Sequence, residues 1–178
     1  MSTLLAEQKE IRGYNFPQRV AKRLFRLVET DNYREHVKVK KELVKEGEHI
    51  LPFLHKLLSS DSRIIRKEVM KVIQLIAYKS SIPYAIDMLE DQVSEIRWIA
   101  AVTLIRIGRE SIRPMLEALI NDSKSYFLRQ GAHHVLSELV FEDDPKELKQ
   151  LVKLTKHNRE APEVVPVKAA DALSSFID

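Results

Sequence analysis

The stretch VSEIRWIAAVTLIRIG (Val93–Gly108), followed by SIRPMLEAL (Ser111–Leu119), carries two helical patterns separated by one glycine turn. In the first, Ile96, Ala100, Thr103, Leu104 and Ile107 recur at helical spacing, which predicts a helix with one buried face. In the second, Pro114 stands where a helix opens, since the missing N–H would be unsatisfied there and proline's φ is already helical. Leu116, Leu119 and Ile120 then form the apolar stripe.

Outward from this unit the pattern repeats. Pro52, Pro83, Pro114 and Pro145 are each separated by 31 residues. Leu54, Leu57 and Leu58 follow the first proline as Ala85, Met88 and Leu89 follow the second. The fourth unit departs, with Glu147 and Gln150 at two stripe positions, so its stripe is expected on Leu148, Leu151 and Leu154. The longer upstream helices align too: Ile65, Val69, Val72, Ile73 and Ile76 precede the central set by 31 residues. Leu128, Ala132, Val135, Leu136 and Leu139 follow it after one extra loop residue. Asp61-Ser62, Asp91 to Ser94 and Asp122 to Ser125 are expected to end one helix and cap the next. A period of this length with one turn signal per unit predicts stacked helix pairs, an all-α solenoid.

The central unit resembles a HEAT repeat, and its short period is closest to the lyase-type HEAT-like subgroup. The likeness covers about residues 33 to 156, and Val167 to Leu173 looks like half of another unit. It implies a right-handed solenoid of four to five repeats used for binding. The expected organisation is a single domain, 1–178, with N-terminal capping helices over 1–32, repeats over 33–156, and a loop and half repeat over 157–178. In this family a basic residue at the start of the longer helix pairs with loop acids, which assigns Arg66, Arg97 and Arg129 to a structural ladder with Asp61, Asp91 and Asp122.

No chemistry-bearing motif emerges. One HEAT-repeat hydroxylase family holds di-iron through His-Glu pairs, but no histidine here is followed by Glu. The adjacent His133 and His134 are about 100° apart on a helix, poorly placed to share an ion. Four glycines provide no phosphate-cradling loop, and no serine nucleophile motif occurs. The expectation is no catalytic, cofactor or metal residue. The absence of cysteine fits a reducing compartment, so a cytoplasmic protein is expected. Every run longer than eight residues contains a charge, which argues against membrane insertion. The lyase-type resemblance raises a role as an accessory subunit in chromophore attachment or another enzyme system, although no motif for a tetrapyrrole pocket is present.

Three surfaces could bind. Arg19, Lys22, Arg23 and Arg26 follow i, i+3, i+4, i+7 spacing, one cationic helix face that reads either as a nucleic-acid contact or as a solvated end cap. The bias is regional: residues 1 to 60 hold 12 Lys/Arg against 8 Asp/Glu, within a chain of net charge +3. Secondly, Trp98, Val102 and Ile105 lie at i, i+4, i+7 opposite the buried stripe, so that helix is apolar all round. The same register reads Lys67, Lys71, Gln74 in the unit before and Gln130, His134, Ser137 in the unit after. An exposed tryptophan cluster suits a protein partner or self-association, and the alternative is cover by an N-terminal segment carrying Leu4, Leu5, Ile11, Tyr14 and Phe16. Thirdly, Phe53, Tyr84, Met115 and then Lys146 follow the prolines as a ladder, with Lys56, Asp87, Ala118 and Lys149 three places on, a candidate contact row or simple shoulder packing. The favoured function is a non-enzymatic protein-interaction or scaffold module.

Overall fold

The computed structural model describes residues 9, 11, 13, 17–156 and 162–176, which contain ten α-helices and no strand. Of the N-terminal segment expected to act as a cover, Leu4, Leu5, Tyr14 and Phe16 lie outside the described residues, whereas Ile11 is buried. The chain divides into two compact units, Met1–Ser81 and Ile82–Asp178.

In the first unit, α1 (Gln18–Glu29) follows Pro17, whose carbonyl accepts from the Val20 and Ala21 amides. Asn32 caps α2 (Tyr33–Val44), its side chain accepting from the Arg34 and Glu35 amides. A 3₁₀ turn, Gly47–Ile50, runs into α3 (Leu51–Leu57) with Pro52 in its first turn. Ser62 then caps α4 (Arg63–Ile76). Helix α4 is the hub, packed by α1, α2 and α3, and its Ile65, Val69, Val72 and Ile73 are buried as their spacing requires. At its end Ala77 adopts the left-handed conformation at φ 48°, and the 3₁₀ turn Lys79–Ser81 closes the unit. The buried His55 of α3 reaches this turn, with Nε2 3.0 Å from Ser81 Oγ.

The second unit opens with α5 (Ile82–Asp87), extended by the 3₁₀ turn Met88–Glu90, then α6 (Ser94–Ile107). The 3₁₀ turn Arg109–Ser111 leads to α7 (Ile112–Asn121), followed by α8 (Tyr126–Leu139), α9 (Lys146–Lys156) and α10 (Val165–Ser175). The longer helices α6 and α8 lie side by side, as do the shorter α5 and α7, which is the two-layer stacking the 31-residue period implies. Ile96, Ala100, Thr103 and Leu104 of α6 and Leu128, Ala132, Val135 and Leu136 of α8 form the buried rows. Gly108 makes the α6–α7 turn at φ 93°, a conformation L side chains rarely adopt.

The arginines of the loop ladder reach backbone carbonyls of the loops before their helices. Arg66 donates to the carbonyls of Ser60 and Asp61, Arg97 to those of Asp91 and Gln92, and Arg129 to those of Ser123 and Ser125. Each guanidinium thereby ties the start of its helix to the loop before it. The Asp91 carboxylate accepts from the Val93 amide at 2.8 Å, bracing the start of α6.

The fourth unit departs in packing as well as in sequence. Of its expected stripe Leu148 and Leu151 are buried, Leu154 is half-buried and Thr155 is buried in its place, and Pro145 directly precedes α9. Yet α9 packs on α8, while α10 packs on both α7 and α9. Arg109 fixes this end: it holds Asp144 through two bonds of 2.9 and 2.6 Å, donates to the Leu139 carbonyl, and lies over the Phe176 ring.

Candidate functional site

Helix α6 is apolar on nearly every side, and only part of that surface is used internally. Ile96, Ala100 and Leu104 face the core, whereas Trp98 is 60% exposed. Val102 and Ile105, expected beside it, are half-buried. The surface is therefore centred on Trp98 and turns toward α8 rather than running along α6.

Trp98 stacks on His134 of α8, with ring centroids 4.6 Å apart and planes inclined by 20°. Two turns earlier on α8, the Phe127 ring lies under the Arg97 guanidinium, 3.9 Å from its centroid. Cation–π attraction and the Asp91 carbonyl together hold Arg97 in place. Gly131 permits the close approach behind these pairs, since a Cβ there would meet Leu89 Cδ2 at 2.7 Å. The result is a groove of about 420 Å³ between α6 and α8, walled by Trp98, Ala101, Phe127, His134 and Gln130 and ending at Ser137. The neighbouring His133 faces the other way in part, its Nδ1 3.1 Å from the Val152 carbonyl of α9.

Ser137 also lines a second groove, of about 650 Å³, between the end of α8 and α9. Its walls are Val140, Phe141 and Val152, and Lys146, Lys149 and Lys153 rim it from one face of α9. Lys149 Nζ donates to the Glu142 carbonyl at 2.6 Å, which sets its charge over the groove. Phe141, 56% exposed, is not among the sequence candidates, and of the lysines only Lys146 and Lys149 are, as members of the proline ladder. The i, i+3, i+7 spacing of the lysines was the available signal.

The residues of the other two candidate surfaces are placed as follows. On α1 the cationic face is neutralised within its own unit: Arg19 pairs with Glu46 at 2.8 Å, Arg23 with Glu46 and Glu42, and Arg26 with Glu35 and Glu42. The Arg26 guanidinium holds the Glu35 carboxyl below its ordinary range. Lys22 stays exposed, but a row of phosphates would have to displace three carboxylates. In the proline ladder, Met115 is fully buried because α5 and α8 close over α7, Phe53 is half-buried, and Tyr84 is 40% exposed. Within the second unit, Met115 therefore presents no surface beside Tyr84.

Among the described residues no three His, Cys, Asp or Glu side chains gather as a metal-ligand set, and no helix is long and apolar enough to cross a membrane. What the Trp98 groove can do is bury an apolar side chain against a rigid aromatic rim, with amide, imidazole and guanidinium donors at its edge. Residues 50–137, from the start of α3 nearly to the end of α8 and including both Trp98 and His134, match the family model for HEAT repeats. No curated protein matches the chain.

Proposed function

Because the chain is a HEAT-repeat protein over residues 50–137, we propose that it is a non-enzymatic protein-interaction module whose contact surface is the Trp98 groove. HEAT repeats generally mediate protein–protein interaction or scaffolding. The observation that carries the assignment to this groove is the 60% exposure of the only tryptophan, held rigid by its stack on His134. A pre-ordered aromatic contributes large contact area at little entropic cost, which is why such residues anchor interfaces. The partner is another protein or a second copy of this chain. A cysteine-free chain of this kind is compatible with the cytoplasm.

The test compares the wild-type chain with Trp98→Lys in nuclease-treated lysate capture, and by light scattering across a concentration series. A partner, or a mass increase, present with wild type and lost with Trp98→Lys supports the assignment. Equal behaviour of the two chains moves the contact surface elsewhere.

A further inference from the structure

We propose that the Trp98 groove and the lysine-rimmed groove form one continuous track for a peptide segment of a partner protein, one that carries a bulky apolar side chain and a nearby cluster of carboxylates. The proposal rests on the reading that the Trp98 face binds protein, and it adds the chemistry of what is bound. Ser137 lines both grooves, so the surface passes from one to the other along α8. From Gln130 to Leu139 that helix rises about 14 Å, the length of about four extended residues. An apolar side chain seated between Trp98 and Phe127 therefore places residues about four positions away over α9. There the chain meets Lys146, Lys149 and Lys153, with Glu142 the one acidic residue lining the groove. The apolar walls of Val140, Phe141 and Val152 sit beside these ammonium groups, so the same segment can meet apolar surface and positive charge together.

Single-stranded nucleic acid would use the same aromatics and cations, but the geometry disfavours it. Base stacking needs open ring faces, whereas one face of Trp98 is occupied by His134 and a face of Phe127 by Arg97. Three lysines opposed by Glu142 also give little phosphate neutralisation.

The experiment is a selection of displayed random peptides, about twelve residues long so that they exceed the track, on the full-length chain. Parallel selections use Trp98→Lys and the triple variant Lys146→Glu, Lys149→Glu, Lys153→Glu, each checked for helicity by circular dichroism. The expected result is enrichment of sequences with Asp or Glu about four residues from an aromatic or leucine. Their affinity should fall at least about tenfold in the triple variant and weaken with salt, and binding to Trp98→Lys should be lost. Enrichment that Trp98→Lys removes but the triple variant retains overturns the acidic-peptide reading and leaves the protein-binding groove standing. No enrichment over Trp98→Lys overturns both. Tighter binding of labelled oligo-uridylate than of any selected peptide, lost in the triple variant, replaces the peptide with nucleic acid.

Discussion

Trp98 and His134, 36 residues apart in sequence, stack face to face across two adjacent repeats and rigidify the most exposed aromatic surface of their unit. The emission of Trp98 reports this directly, because the chain has no other tryptophan. Dilute protein should emit at long wavelength and be quenched readily by iodide, since over half of the indole meets water. His134→Ala should increase iodide access further while lowering stability by no more than about 1 kcal/mol, the scale of one exposed aromatic pair. Blue-shifted, quencher-resistant emission at every dilution would mean that the indole is covered.

Ala77 and Gly108 occupy the same point in consecutive units, 31 residues apart, and both have positive φ. Only glycine takes such a conformation without steric cost. Ala77→Gly should therefore stabilise the chain by about 1 kcal/mol, read as a raised urea midpoint with an unchanged m-value. A lower midpoint would show that the flexibility glycine adds to the unfolded chain outweighs the relieved strain.

The helical rows of α4, α6 and α8 were legible because burial imposes a 3.6-residue period, and a fixed 31-residue interval multiplied that signal across units. The groove was less legible for a specific reason. Gln130, His134 and Ser137 appeared as the polar counterpart showing Trp98, Val102 and Ile105 to be unusual, yet in stacked repeats an equivalent row on the next helix is also the adjacent wall. The ion pairing of α1 was hidden for a related reason, since counting charges on one helix omits Glu35, Glu42 and Glu46 on the segment packed beside it. Helix α10, seated against α7, depends on tertiary contacts that local periodicity does not encode.

That neutralisation has a measurable consequence. Wild-type protein should show at most weak, salt-sensitive retention of duplex DNA, because the guanidinium groups of Arg19, Arg23 and Arg26 already hold carboxylates. Glu42→Gln with Glu46→Gln should unmask Arg19 and Arg23 and steepen the salt dependence of binding by about two log units per log unit of salt. Tight wild-type binding that these substitutions leave unchanged would restore α1 as a nucleic-acid face.

Glu68 of α4 is almost wholly buried, with His36 Nε2 2.8 Å, Lys71 Nζ 3.2 Å and Lys40 Nζ 3.7 Å from its carboxylate. Burial lowers the affinity of both His36 and Lys40 for their protons, and the Glu68 charge partly offsets it. Glu68→Ala removes that offset and leaves clustered cations, so it should cost about 2–3 kcal/mol in urea unfolding. Restoration of most of that stability by adding Lys40→Met would identify the unpaired cation as the cause.

His55 should make stability depend on pH in a window set by its own titration. Burial beside Ser81 depresses its pKa from 6.5 to about 4, so the folded protein holds the ring neutral while the unfolded chain protonates it near 6.5. The unfolded state therefore binds the extra proton first as pH falls, and the contribution is fully present above about pH 6.5. It should decline by about 2 kcal/mol by pH 5 and about 3 kcal/mol by pH 4, then level off. Asp144 acts in a lower window, because the Arg109 hydrogen bonds hold its carboxyl below the ordinary value and its contribution is lost only as pH falls through that depressed range. His36 shifts in the same direction as His55, so the measurement is a difference between wild type and His55→Gln, each unfolded in urea from pH 7 to 4. The stability gap between the two should shift against wild type as the solution is acidified from pH 6.5. Parallel curves across that range would mean that His55 is protonated as readily in the folded protein as in the unfolded chain.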